Sequence, residues 1–196
     1  MKDVEQSSQK DIDLEIVKQV KQGNNEAFGV LMERYESRLS RYLSRFLADK
    51  DAITDVLQDT LVKAYVNIQS FDEDYTFSSW IYRIAHNEAV NVIKKKKSTP
   101  FSWFDPEALV PYFAQHDATE KEIDREFLKK ELDSVLDTLP SQYKEILILF
   151  YYEELSYKEI ALVLKIPISS VGVRINRAKK KALEELHTST LHEHHT

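Results

Sequence analysis

LSYKEIALVLKIPISSVGVRINRAKKKAL, residues 155–183, carries two helices and the turn between them. Ser156 followed by Glu159 makes a capping box that opens the first helix. Leu164-Lys165-Ile166-Pro167 stops it, because proline has no amide proton to continue the ladder. Ser169 or Ser170 then caps a second helix that continues to about Leu186. Two helices across a turn of about four residues form a helix-turn-helix. At about 100° per residue, Val171, Ile175, Ala178 and Ala182 share one face of the second helix and should pack on Ile160, Ala161 and Leu164. Ser169, Ser170, Val173, Asn176, Arg177 and Lys180 face the other way, flanked by Arg174 and Lys181. Hydrogen-bonding groups early and cations later suit a helix entering the DNA major groove. A plain helical hairpin with a solvated outer face has the same pattern.

Upstream, Pro140 opens a helix that runs to about Glu153, and Glu120 to Asp137 reads as another. Before these, residues 98–119 contain Pro100, Pro106 and Pro111 and no sustained amphipathic period, so they read as a linker. The linker is rich in rings (Phe101, Trp103, Phe104, Tyr112, Phe113), which calls for packing against a domain or cover by a partner.

The N-terminal half reads as four helices. Asp13 to Gln22 is the first, with Gly23 at its C-cap. Asn24 or Asn25 caps a second, in which Phe28, Leu31, Met32, Tyr35, Leu39, Tyr42, Leu43 and Phe46 recur at helical spacing. The third runs from about Asp51 to Ile68 and the fourth from about Thr76 to Lys96. On the fourth, Phe77, Ile81, Ile84, Ala85 and Val92 point inward. Ser79, Arg83, His86, Asn87, Val90 and Lys94 point outward, with Trp80 on the border. Polar groups beside an aromatic, ending in the lysines 94–97, suit unpaired bases and phosphates. Aromatics in a core with lysines in water fit the segment equally well. The preceding loop, Asp72-Glu73-Asp74-Tyr75, is too acidic to follow a phosphate backbone, yet it can form a pocket for a base. Asp55, Gln58, Asp59 and Lys63 share the polar side of the third helix. With no histidine or third acid at a telling spacing, that side reads as a solvated or docking face and not as a metal site.

Composition agrees with an all-α protein of two small helical domains joined by an extended linker. The chain has 196 residues, 42% of them hydrophobic, and only three glycines, too few for the turns of most β folds. It has no cysteine, no apolar run near the roughly 20 residues that cross a bilayer, and no signal-peptide order at its N-terminus. These features point to the cytoplasm. Nor is there a phosphate loop, a nucleophile motif or a metal-ligand cluster, so no catalytic residue, metal or cofactor is expected; the tail from Leu191 to His195 is a frayed end. The net charge of −6 opposes tight unaided binding to DNA, while Lys94–Lys97 and Arg174–Lys181 supply two basic faces. Such a chain binds DNA best when a larger partner delivers it. A stand-alone helix-turn-helix regulator is the competing reading.

Taken together, DVLQDTLVKAY (55–65), FDEDYTFSSWIYRIAHNEAVNVIKKKK (71–97) and LPSQYKEILILFYYEELSYKEIALVLKIPISSVGVRINRAKKKAL (139–183) resemble the extracytoplasmic-function sigma factors of bacterial RNA polymerase. The likeness runs from about Ile12 to Leu186. It implies a specificity subunit, with no catalysis of its own, that binds core polymerase and promoter DNA. Residues 1–97 would form sigma region 2, 98–119 the linker, 120–188 sigma region 4, and 189–196 a flexible tail. Asp55, Gln58, Asp59 and Lys63 would dock on the clamp helices of β′. Asp72, Glu73, Asp74, Tyr75, Trp80, Arg83, Asn87 and Lys94 would open the −10 element and hold its bases. Ser169, Ser170, Gly172, Val173, Arg174, Asn176, Arg177 and Lys180 would read the −35 element, while their domain meets the β flap. The linker would pass near the RNA exit. An anti-sigma factor, possibly tethered to a membrane that this chain does not itself enter, would complete the set of partners. Gly172 and Val173 depart from the basic residue and serine common in relatives, which implies close backbone approach at Gly172 or a changed −35 preference.

Overall fold

The computed structural model describes residues 2–96 and 132–193, and these form two compact units, each treated by itself below. The linker at 98–119 and the start of the helix expected from Glu120 lie outside the described residues. All regular structure among the described residues is helical.

The N-terminal unit has four helices: α1 (Lys2–Lys21), α2 (Asn25–Ser44), α3 (Lys50–Asn67) and α4 (Phe77–Lys96). Helix α1 begins eleven residues before the expected Asp13, since KDVEQSSQKD contains no breaker although it lacks an apolar stripe. It ends at Gly23, whose φ of +100° allows Gly23 N–H to bond Val20 O and Asn24 N–H to bond Gln19 O, each at 3.0 Å. This reversal satisfies the last carbonyls and turns the chain directly into α2. Asn24 then caps α2, its side-chain oxygen accepting from Ala27 N–H at 3.3 Å. Helix α2 buries Phe28, Leu31, Tyr35, Leu39, Tyr42 and Leu43, the stripe expected of it; Met32 is exposed. Asp49 caps α3, which buries Val56, Leu57, Thr60, Leu61 and Ala64. The Thr60 hydroxyl donates to Val56 O at 2.7 Å, so its burial leaves no polar group unpaired.

Helix α4 packs on α3, α1 and α2 together. It therefore buries a far wider arc than one stripe: Phe77, Ser79, Ile81, Tyr82, Ala85, His86, Ala89 and Ile93. Rings fill the space between the helices. Tyr42 meets Tyr82 edge-on at 5.3 Å, Tyr35 meets Phe77 at 5.2 Å, and Phe71 touches both Phe77 and Trp80. Beneath them, Tyr35 Oη donates to Asp13 Oδ2 at 2.5 Å and Arg34 Nε pairs with Asp13 Oδ1 at 2.9 Å. Burial, then the Asp13 charge and hydrogen bond, push the Tyr35 phenol well above its ordinary pKa.

In the C-terminal unit a helical turn at 132–135 and a 3-10 turn, Leu136–Thr138, lead to α5 (Ser141–Leu147). Pro140 precedes this helix as its cap and does not open it; its ψ of 141° is extended, and its carbonyl accepts from Tyr143 and Lys144. Helix α5 continues as a π-helical turn, Ile148–Tyr152. The Ser156–Glu159 capping box opens α6 (Tyr157–Leu164) as expected: Ser156 N–H donates to Glu159 Oε2 at 2.7 Å and Glu159 N–H to Ser156 Oγ at 3.4 Å. Lys165 ends α6 in the left-handed conformation (φ +54°). Helix α7 (Ile168–Glu193) follows, burying Val171, Ile175, Ala178 and Ala182. It packs chiefly on α5; in α6, Ile160 and Val163 are buried, while Ala161 and Leu164, expected beneath α7, are only half-buried. Ser169 and Ser170 lie inside its first turn and do not cap it, because Pro167 O already accepts from Ser170 N–H at 2.9 Å. The helix also runs seven residues beyond the expected Leu186, taking in 189–193 of the expected tail. No glycine or proline interrupts that stretch, and the turn before it is braced by Lys181 and Glu185 at 3.1 Å.

Candidate nucleic-acid interface

In the N-terminal unit, the turn before α4 and one stripe along that helix make a continuous surface. Thr76 caps α4, its hydroxyl accepting from Ser79 N–H at 3.4 Å while its carbonyl accepts from the Ser79 hydroxyl at 2.9 Å. Ser79, expected to face outward, is thus buried and bonded within the first turn. His86, also expected outward, is buried too. Both corrections have one cause: α4 is flanked on several sides, so the helical wheel has no free half.

What stays open is narrow. Trp80, Arg83, Asn87, Val90 and Lys94 follow at spacings of three and four, so they run in one line for about 21 Å. Arg83 and Lys94 are exposed; Trp80, Asn87 and Val90 are half-buried. Trp80 is no loose platform, since its ring leans on Phe71 at 5.3 Å and Phe77 at 5.7 Å. Such bracing fixes the orientation of the indole, which stays half-buried.

Asp72, Glu73, Asp74 and Tyr75 are all exposed at the upper end of this line. Asp72 Oδ1 accepts from Asp74 N–H at 3.0 Å and Asp72 O from Tyr75 N–H at 3.1 Å, so the loop has a defined turn. The line therefore runs from acid at the helix N-terminus to Lys94 and Lys95 near its C-terminus.

On α3, Asp55, Gln58, Asp59 and Lys63 are exposed as a group. Lys63 already pairs with Glu88 of α4 at 2.5 Å, which ties the two helices. The sequence reading passed over Val62 and Val66, which continue the line of Asp55 and Asp59 and are 61% and 69% exposed. The two valines add a small apolar strip to this otherwise acidic face. The signal was present as apolar residues outside the core stripe.

In the C-terminal unit, Ser169, Asn176 and Lys180 are exposed on α7, and Ser170, Gly172, Val173 and Arg177 are half-buried. Arg174 departs from the flanking position expected of it, being only 6% exposed. It falls one residue from Ile175, on the side that turns under. Gly172 has a steric explanation. A Cβ there would lie 3.3 Å from Tyr157 Cε2, so the first turns of α6 and α7 meet where a side chain would crowd. Lys181 is held by Glu184 and Glu185, and its ammonium is pushed to a higher pKa, first by the hydrogen bond it donates to Glu185 and then by that carboxylate's charge. No described helix is long and apolar enough to cross a membrane.

Residues 31–99 match the family model described as Sigma-70 region 2, and residues 129–181 that described as Sigma-70, region 4. The ECF RNA polymerase sigma factor SigW of Bacillus subtilis is 32% identical over 178 residues, 87% of this chain and 94% of its own. The ECF RNA polymerase sigma-E factor of Escherichia coli is 31% identical over 172 residues, 84% of this chain and 89% of its own. Among solved structures, CnrH in complex with the cytosolic domain of CnrY aligns with a TM-score of 0.64 and 27% identity, covering 90% of this chain and 97% of that one. RpoE of Bartonella quintana, solved with the anti-sigma factor NepR, shares the fold at a TM-score of 0.57 and 24% identity, covering 82% and 96%.

Proposed function

The chain belongs to the extracytoplasmic-function sigma factors of bacterial RNA polymerase, and from that membership we propose how its surfaces divide the work. It is an alternative sigma factor that binds core polymerase and directs promoter-specific initiation through the −10 and −35 elements. The observation that carries this is the order of the two matched regions over nearly the whole chain.

In our reading residues 1–97 act as region 2 and 120–188 as region 4. Asp55, Gln58, Asp59 and Lys63 dock on the β′ clamp helices, and exposed Val62 and Val66 extend that face with the apolar contact that bare charges lack. The loop Asp72, Glu73, Asp74 and Tyr75 captures a non-template base of the −10 element. Trp80, Arg83 and Asn87 keep the strands apart, and Lys94 holds a phosphate. Support comes from the unbroken line these residues make and from the braced ring of Trp80. Helix α7 reads the −35 element with Ser169, Ser170, Gly172, Val173, Asn176 and Arg177, with Lys180 on the backbone. Arg174, being buried, supports that helix from beneath. The domain of α7 also meets the β flap.

As a specificity subunit the chain lends polymerase its address and performs no catalysis itself, and it works in the cytoplasm where polymerase is. An anti-sigma factor with a membrane anchor holds it in reserve; the relative CnrH is solved with the cytosolic domain of CnrY. Transcription from a genomic promoter library by purified core polymerase, with and without the chain, is the test. New start sites that need the chain are expected, and none on any promoter refutes the reading. Tight binding of duplex DNA by the chain alone would favour a stand-alone regulator instead.

A further inference from the structure

We propose that Lys21, at the end of α1, is a positioning residue for −10 recognition: it latches the acidic loop in the place where that loop meets a base. The proposal rests on the −10 reading of α4 and its loop given above. Lys21 lies fifty residues from Phe71 in sequence and belongs to none of the three faces assigned so far.

Three contacts converge on it. Lys21 Nζ donates to Phe71 O at 2.7 Å and to Glu73 Oε1 at 3.1 Å, and its backbone carbonyl accepts from Gln69 Nε2 at 3.1 Å. The ammonium also stands 5.7 Å from the centre of the Phe71 ring. One residue of α1 therefore holds positions 69, 71 and 73. Its own backbone is fixed by the bonded reversal at Gly23, so the latch has a firm root.

The loop's internal bonds, Asp74 N–H to Asp72 Oδ1 and Tyr75 N–H to Asp72 O, give it shape. They do not set where that shape stands on the helices. The buried Phe71 ring and the Lys21 contacts do. Placement matters because a base pocket works only when its walls stand within a fraction of an ångström of the productive geometry. Lys21 is 19% exposed, so its charged bonds are partly shielded from water and hold better than an open surface pair. Its charge also answers Glu73, one of the three loop acids that repel an approaching phosphate.

The test uses the full chain with Lys21→Met, which keeps the apolar stem over Phe71 and removes the donors, and Lys21→Arg, which keeps a charged donor. In the free protein, amide hydrogen exchange over residues 72–76 should quicken at least about fivefold in Lys21→Met, with exchange in α2 and α3 unchanged. With core polymerase and a promoter library randomised over the −10 element, the strongest base preference should fall by about tenfold, the loss of one charged hydrogen bond. It should fall on pre-melted templates as well, because the defect lies in capturing a base and not in separating strands. The −35 preference should stay, and Lys21→Arg should recover most of the −10 preference. Unchanged loop exchange overturns the latch. Faster exchange with unchanged base preference overturns its role in recognition. A wild-type protein with no −10 preference at all removes the underlying reading and this role with it, while the exchange comparison still decides whether the latch exists.

Discussion

Replacing Tyr35 by phenylalanine removes one hydroxyl from the seam between α1 and α2 and keeps the ring against Phe77. The partner it abandons is a carboxylate: Asp13 is 3% exposed and retains Arg34 on its other oxygen. A hydrogen bond to a charged group contributes about 1.5 to 3 kcal/mol, and a buried acceptor left short costs about as much, so we expect Tyr35→Phe to cost about 2 kcal/mol. In a domain of this size that lowers the melting temperature by roughly 10 °C. The pairing with Asp13→Asn separates the bond from the packing. If the two groups act through each other, the double variant is less damaged than the sum of the singles by about 1 kcal/mol or more. Alkaline titration adds a second signature. The folded state favours the neutral phenol, which has no consequence below the ordinary tyrosine pKa of about 10, where the unfolded chain is neutral too. Above that, stability falls by about 1.4 kcal/mol per pH unit from this group alone, and Tyr35→Phe removes that share of the slope. Denaturant unfolding of both proteins from pH 7 to 11 reads the two effects. A cost below about 0.5 kcal/mol, with the same alkaline slope in both, would refute the reasoning.

Four further outcomes are expected. Val62→Asp with Val66→Asp should leave stability within about 0.5 kcal/mol, since both side chains are open, while affinity for core polymerase, measured by fluorescence anisotropy, drops at least about tenfold. Gly172→Ala gains helix propensity of up to about 1 kcal/mol but sets a methyl against Tyr157; the exposed ring swings aside, so thermal unfolding should show a smaller net gain, and the full gain beside Tyr157→Ala. Gly172→Lys should select a different −35 sequence, and an unchanged preference counts against a reading role for this position. Asn176→Ala should relax −35 preference at one position by about 1 to 3 kcal/mol, whereas Lys180→Ala weakens binding evenly across sequences, as competition against variant promoters can measure.

Legibility followed the range of the forces involved. Caps are local, so Asn24, Gly23 and the Ser156–Glu159 box were readable, and the inner face of α7 followed from its period. The wheel of α4 misplaced Ser79 and His86 because it assumes one buried side, and packing on several neighbours violates that assumption. Ends without a punctuating residue were also missed: α1 starts at Lys2 in a polar stretch, and α7 passes Leu186 because nothing stops it. Arg174 drew notice as a cation, and burial of a cation depends on the packing of the whole unit. The Lys21 contacts span some fifty residues of chain, and no spacing rule reaches that far.

Lys181 and its two glutamates have a consequence for ionic strength. Along α7 the positive groups at Arg177 and Lys180 come first, and the next lysine is answered within its own helix by Glu184 and Glu185. The helix thus offers DNA a short cationic stretch that fades after about one turn. Few counterions leave the duplex when it docks, so this helix alone gives a shallow dependence of binding on salt. The steep part of any salt dependence in the full initiation complex then comes from contacts outside this helix, those of Lys94 and of polymerase itself, so ionic strength would tune how often the enzyme lands more than which −35 sequence α7 picks.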